Sequence, residues 1–208
     1  EEAKARGPYL LKSRNRAVTV EDFEWLALQA SNSVARVKCL PTTDREGEVT
    51  VIVLPKIADT HPDFMEKLMP SPELLRRVRQ FLYERKLVTT KINVVRPRYI
   101  EVSVKIEIVR LATGSSDKVK KEIEERLRYF LHPLRGGRVG KGWPFGRGVY
   151  KVDLYQVVEG VNGVDMVDKI RIIDEDNKFE VDHVKLRDDE LVHLVDVEVT
   201  EKVHEKMI

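Results

Sequence analysis

Residues 100–108 read Ile100-Glu101-Val102-Ser103-Val104-Lys105-Ile106-Glu107-Ile108. β-Branched apolar residues alternate with polar ones throughout. Successive side chains of a strand point to opposite faces, so this alternation predicts a strand with one buried face and one wet face. Such a strand needs helices or a second sheet over its apolar side, and the sequence on either side supplies helices. Downstream, Gly114-Ser115-Ser116-Asp117 turns the chain and offers a helix cap. Val119, Ile123, Leu127, Phe130 and Leu131 then keep helical spacing, with Pro133 beyond the expected end. A short helix is expected from about Tyr150 to Glu159, ending at Gly160. Strands are expected over Val164–Ile173 and Leu191–Val199, with a turn at Asp174–Asn177 and a polar tail from Thr200 that frays.

Upstream the same logic gives a second set of elements. Thr19 reads as an N-cap whose hydroxyl accepts from the amide of Asp22, starting a helix that runs to about Ser31. Its stripe is Val20, Phe23, Leu26, Ala27 and Ala30. Trp25 and Leu28 fall on another face, which predicts cover on two sides. Ala35, Val37 and Cys39 alternate with Arg36 and Lys38 in a strand stopped by Pro41, and Thr42–Gly47 is turn-like. Val49–Leu54 is apolar without alternation, as in a central strand buried on both faces. Residues 56–71 read as an irregular excursion. Pro72 suits the first turn of a helix with Leu74, Leu75, Val78, Phe81 and Leu82 on one stripe. A strand at Lys91–Val95 follows before Pro97.

The predicted order is α-β-β-α-β, then β-α-α-β-β. The expected fold class is α+β: two small α/β sandwich-like modules, mixed sheets each covered by helices. The expected boundaries are 1–16 as a linker or the end of an upstream domain, 17–97 as module 1, and 98–208 as module 2 with a Gly-rich loop at 135–148. The chain opens Glu1-Glu2-Ala3-Lys4, without Met or an apolar leader, and is expected to be the C-terminal part of a longer polypeptide.

Composition narrows the function classes. The 208 residues hold 37 basic and 35 acidic side chains, a formal net charge of +2, which disfavours a nucleic-acid binder working by bulk charge. One cysteine, Cys39, excludes an intramolecular disulfide and a Cys-rich zinc module. No apolar run is long enough to span a bilayer. Dense charge of both signs, with only three Gln and five Asn, is a bias seen in thermophile proteins.

Searches for chemistry fail on spacing. Gly140-Lys141 is followed by Gly142, where a phosphate loop needs a hydroxyl for magnesium, and Arg135 stands where its first glycine belongs. The five histidines, His61, His132, His183, His193 and His204, form no zinc spacing. Asp174-Glu175-Asp176 lacks the later Gly and Glu of a calcium loop and reads as a solvated turn. No serine lies in a nucleophile-elbow setting. Carboxylates brought together from distant segments stay open as a hydrolase reading.

One segment stands out. Residues 135–151 carry Arg135, Arg138, Lys141, Arg147 and Lys151 without an acid, and place Trp143, Pro144 and Phe145 among six glycines. Arginine with aromatics is the composition of interface anchors. It also suits stacking on single-stranded nucleic acid, or a loop pinned to its own domain by Trp143 and Phe145. Charge is uneven elsewhere: 76–98 is basic, while 174–198 holds ten acids against three bases. That asymmetry suits head-to-tail packing of copies or two unrelated solvated faces.

Several stretches resemble a known family. Arg16-Ala17-Val18-Thr19-Val20-Glu21-Asp22-Phe23-Glu24-Trp25-Leu26-Ala27 is similar to the entry of baseplate J-like proteins, wedge components of contractile phage tails and related contractile injection systems. Val34–Pro41, Leu87-Val88-Thr89-Thr90, and Val94-Val95-Arg96-Pro97-Arg98-Tyr99 resemble successive blocks. Phe130-Leu131-His132-Pro133-Leu134 with Gly136-Gly137 and Gly142-Trp143-Pro144-Phe145-Gly146-Arg147 resembles the most distinctive stretch, and Gly160–Asp165 the closing one.

The resemblance implies a structural baseplate wedge subunit that acts by protein–protein assembly. It implies no catalysis, no metal and no cofactor. Implied partners are other wedge subunits and copies of the chain itself, with spike, hub and sheath contacted indirectly and no membrane. The implied location is cytoplasmic during assembly and then the baseplate of a virion or phage tail-like particle. Gly136, Gly137, Gly142, Trp143, Pro144, Phe145, Gly146 and Arg147 are the expected interaction or loop-locking residues. The rival reading is a nucleic-acid-binding module using segments 76–98 and 135–151.

Overall fold

The computed structural model describes residues 15–42, 47–57, 68–111 and 115–202. The chain divides into two compact units, Glu1–Pro97 and Arg98–Ile208.

In the first unit, α1 (Val20–Gln29) starts where the sequence sets a cap. The Thr19 hydroxyl accepts from the Asp22 amide at 3.2 Å, and the Asp22 carboxylate accepts from the Thr19 amide at 2.9 Å, a reciprocal capping box. The strands are β1 (Val34–Pro41), β2 (Glu48–Pro55) and β3 (Lys91–Val95), with α2 (Pro72–Tyr83) before β3. They form a mixed sheet in the order β1-β2-β3, antiparallel then parallel. Phe23, Leu26 and Ala27 of α1 and Leu74, Val78 and Leu82 of α2 share one buried cluster with Val51 and Val53 of β2. Ile52 and Leu54, on the other face of β2, are also buried, as an unbroken apolar run requires. Trp25 is half-buried, but Leu28 is 39% exposed, so the second face of α1 is covered only in part. Residues 43–46 of the expected turn, 58–67 of the expected excursion, 1–14 of the expected linker, Gly114 of the expected turn before the next helix and 203–208 of the expected tail lie outside the described residues.

The second unit contains β4 (Arg98–Arg110), α3 (Ser116–Phe130), β5 (Val149–Tyr150), α4 (Lys151–Glu159), β6 (Val164–Asp174), β7 (Phe179–Val181), β8 (His183–Val184) and β9 (Glu190–Lys202). The sheet order is β7-β6-β4-β9, and a small two-stranded sheet joins β5 to β8. β4 pairs antiparallel with β6 and parallel with β9. Val102, Val104, Ile106 and Ile108 of β4 are buried in the same cluster as Val119, Ile123 and Leu127 of α3 and Leu154 and Val158 of α4. The fold is α+β, with helices packed on mixed sheets.

Three local expectations are corrected. Ser115 is the N-cap of α3 by position but makes no side-chain capping bond. Tyr150 belongs to β5 and α4 begins at Lys151, because Tyr150 is held opposite His183 by strand pairing. Thr200 does not begin a frayed tail: β9 continues to Lys202, its ladder with β4 reaching Val109, and the Thr200 hydroxyl donates to the Ile106 carbonyl at 3.2 Å. The short strands β7 and β8 follow the turn at 174–177 without a sequence expectation of their own.

Candidate functional site

The segment after α3 is built by hydrogen bonds back onto the helix end. The amide of Gly137 donates to the Phe130 carbonyl at 2.7 Å, and those of Gly136 and Trp143 donate to the His132 carbonyl at 2.8 and 3.0 Å. The Gly142 amide donates to the Gly136 carbonyl at 2.9 Å, closing the loop on itself. His132 fixes the entry, its Nδ1 accepting from the amides of Leu134 at 3.0 Å and Arg135 at 3.2 Å. At Gly136 the backbone itself is the constraint, since a Cβ there would press into the Phe130 carbonyl oxygen and lie 2.6 Å from the His132 nitrogen. Gly146 has φ +70° and lies against Asp188, where a Cβ would sit 3.0 Å from the Asp188 Cα.

Trp143 is fully buried in the second unit's core. Its ring meets Phe130 edge-on at 5.3 Å between centroids, and its Nε1 donates to the Arg147 carbonyl at 2.8 Å. Burial with the indole N–H satisfied is the stable arrangement for this side chain. Phe145 is half-buried, and Pro144 is exposed. Trp143 is therefore a core residue and not a surface anchor.

Two of the loop's cations converge on one carboxylate. Arg138 donates to Asp153 Oδ1 at 2.7 Å, and Arg147 reaches Asp153 Oδ1 and Oδ2 at 3.2 and 3.0 Å. Asp153 lies in the first turn of α4 and is buried. Burial raises its pKa, but the hydrogen bonds from Arg138 and Arg147 outweigh burial and hold the carboxyl below its usual range. The Arg147 guanidinium also lies 5.2 Å from the Trp143 ring centroid. Core burial, backbone closure and this clamp hold the loop, leaving Val139, Lys141 and Pro144 outward, with Val139 80% exposed.

The other singled-out residues divide clearly. The acids of 174–198 are mostly paired inside their own unit. Glu175 pairs with Lys178, Glu180 and Asp182 pair with Lys151 at 3.4 and 2.9 Å, Glu190 with Arg187 at 2.9 Å, and Glu198 with Lys105 at 2.6 Å. The hydrogen bond from Lys151 holds the Asp182 carboxyl below its ordinary range. Asp174 caps its own turn, accepting from the amides of Asp176 and Asn177. His183 stacks on Tyr150, while His193 faces Glu101 at 3.7 Å and is depressed by burial, Glu101 offsetting part of that shift. His61 and His204 lie outside the described residues. Cys39 is buried, and burial followed by the Glu24 charge pushes its thiol up to about 12, so it is a poor nucleophile. Among the described residues, no three His, Cys, Asp or Glu side chains are grouped as a metal ion would need, and no helix is long and apolar enough to cross a membrane.

Sequence reasoning found the loop but not its partner. Asp153 carries no signal as the acceptor for Arg138 and Arg147, because an acid in the first turn of a helix reads as an ordinary dipole partner.

The model of the Baseplate J-like central domain matches residues 15–105, the first unit and the start of β4. The Gly-rich loop lies beyond the matched stretch. Among solved structures, a chain of the cryo-EM structure of the anti-feeding prophage baseplate, 6-fold symmetrised, has a similar fold. Its TM-score is 0.64 at 13% identity, and the likeness covers 93% of this chain and 40% of that one. The chain thus spans well under half of that relative's length, and at this identity the likeness is one of fold. No curated protein matches the chain. Over residues 15–105, somewhat under half of its length, the chain is therefore similar to the Baseplate J-like central domain.

Proposed function

We propose that the chain is a structural subunit of the baseplate of a contractile phage tail-like particle or injection system, and within it a wedge component that works by assembly without catalysis. The observation that carries this reading is the central-domain match over residues 15–105, supported by the shared fold with a chain of a contractile baseplate. The buried thiol is poorly nucleophilic, and the buried carboxylate Asp153 is spent on two arginines.

On this reading the partners are other wedge subunits and copies of the chain, with spike, hub and sheath reached indirectly. The location is the baseplate, following assembly in the cytoplasm. The Gly-rich loop presents the crest Val139, Lys141 and Pro144 to a neighbour. A locked backbone favours this, because a contact that is ordered beforehand loses little conformational entropy on docking. The nucleic-acid reading has less support, since Arg138 and Arg147 are committed to Asp153.

The test is deletion of the coding region from the source particle, followed by imaging. Loss of the baseplate with tubes or sheaths left incomplete is expected. Complete, contractile particles without the chain would end the proposal.

A further inference from the structure

A cleft of about 540 Å³ opens beside the turn after α2, lined by Arg16, Glu84, Arg85, Lys86 and the Leu87–Val88 turn. Two stretches distant in sequence build it. The Ala17 amide donates to the Arg85 carbonyl at 2.9 Å, and Ala17 and Lys86 form an isolated parallel bridge. Lys86 pins the turn: its ammonium donates to the carbonyls of Leu87 at 3.2 Å and Val88 at 3.4 Å, and sits 4.7 Å from the centroid of the Tyr83 ring.

The result is an apolar tip held outward. Val88 is 97% exposed, Tyr83 67%, Val18 57% and Leu87 42%. A lone exposed valine is ordinary. Here Leu87 and Val88 line the cleft on a turn whose carbonyls Lys86 holds, and the same lysine lies over the Tyr83 ring. The cleft beside them is basic. Arg85 is positioned by the Phe81 carbonyl at 2.8 Å and by Asn15 at 3.2 Å, and Arg16 has no carboxylate partner among the described residues. Glu84, 3.2 Å from Arg85, is the single acid against the three cations of the lining.

We infer that this cleft and tip dock an acidic, apolar-faced segment of a partner protein. A carboxylate enters the cleft at the exposed Arg16, with Arg85, already paired with Glu84, adding to the local positive charge, and a leucine-like side chain packs on Val88 and Leu87. A cation offers a carboxylate both charge and donors, and an aliphatic tip offers it nothing, so the surface as a whole calls for both features in one occupant. Nucleic acid fits less well, because the tip is aliphatic and Lys86 occupies one face of the Tyr83 ring. The inference rests on the assembly reading only in taking the partner to be a protein.

The probe is a labelled amphipathic peptide with glutamate on one face and leucine on the other, titrated into the full chain and read by fluorescence anisotropy. Binding by the parent chain is expected. Val88→Asp and Arg16→Glu should each weaken it about tenfold or more, with circular dichroism unchanged because both side chains are exposed. Four results would each overturn the inference. They are no binding by the parent, equal binding by both variants, equal binding of a peptide with glutamine for glutamate, and displacement of the peptide by an oligonucleotide. Self-association of the parent that Val88→Asp abolishes would assign the tip to a second copy instead, and also overturn it. None of these results bears on whether the chain is needed for a baseplate, which the deletion experiment decides separately.

Discussion

Trp143 illustrates how one side chain commits a loop. Its ring is fully buried and its N–H is satisfied by the Arg147 carbonyl. Trp143→Ala should therefore cost about 3–5 kcal/mol, through lost transfer energy and the cavity left behind. Urea unfolding should show it as a lower midpoint with unchanged slope. Gly136 and Gly140 make a contrasting pair. At Gly136 a Cβ would meet the backbone of Phe130 and His132, which cannot move without opening the helix end. Gly140 has φ +68° but open space, its nearest neighbour lying 3.9 Å from the Cβ position. Gly140→Ala should cost roughly 1–2 kcal/mol of backbone strain, and Gly136→Ala more; a thermal melt of both variants checks the order. His193 gives a pH dependence of known sign. Burial depresses its folded pKa, so the unfolded chain binds more protons as pH falls below about 6.5. Stability is complete above that value and declines as pH drops toward the folded pKa. His193→Gln should flatten this decline in unfolding free energy measured between about pH 7.5 and about pH 5.

At the scale of elements, ends were legible where a side chain caps its own helix. Thr19 and Asp22 are three residues apart, so their bonds are local and visible in sequence. Thr19→Ala should destabilise the first unit by about 1 kcal/mol, checked by chemical denaturation followed at Trp25. Ser115 looked equally suitable for α3 but makes no such bond, because a cap depends on a backbone path that residue type does not set. The long strands β4, β6 and β9 were legible from alternation or sustained apolar character. The two- and three-residue strands β5, β7 and β8 were not, since so short a stretch has no period to read. Their pairing comes from partners outside the stretch itself, Tyr150 opposite the distant His183, and Phe179 opposite Asp174 across a short turn. The acidic run at 174–198 is a similar case. It reads as a charged patch, yet Lys151 and Lys105, both distant in sequence, neutralise part of it.

Across the whole molecule, the two buried clusters share no residue, and each unit holds one of the two tryptophans. Trp25→Phe leaves Trp143 reporting on the second unit, and Trp143→Phe leaves Trp25 reporting on the first. In these backgrounds Ile106→Ala should lower the Trp143 transition by about 2–5 kcal/mol and move the Trp25 transition less. Equal shifts in both would mean that the cores unfold as one. The sequence by itself determined the α+β class, the order of the long elements and a family resemblance read from Arg16 to Asp165, which the family model matches over residues 15–105. These depend on periodicity, caps and short motifs, all of which act over a few residues. Only the tertiary structure decided that Trp143 faces inward, that Asp153 gathers Arg138 and Arg147, and that residues near 17 and 86 meet around a basic cleft. Each of these is a contact between segments whose separation in sequence says nothing about distance in space, and local preferences carry no information about such a meeting.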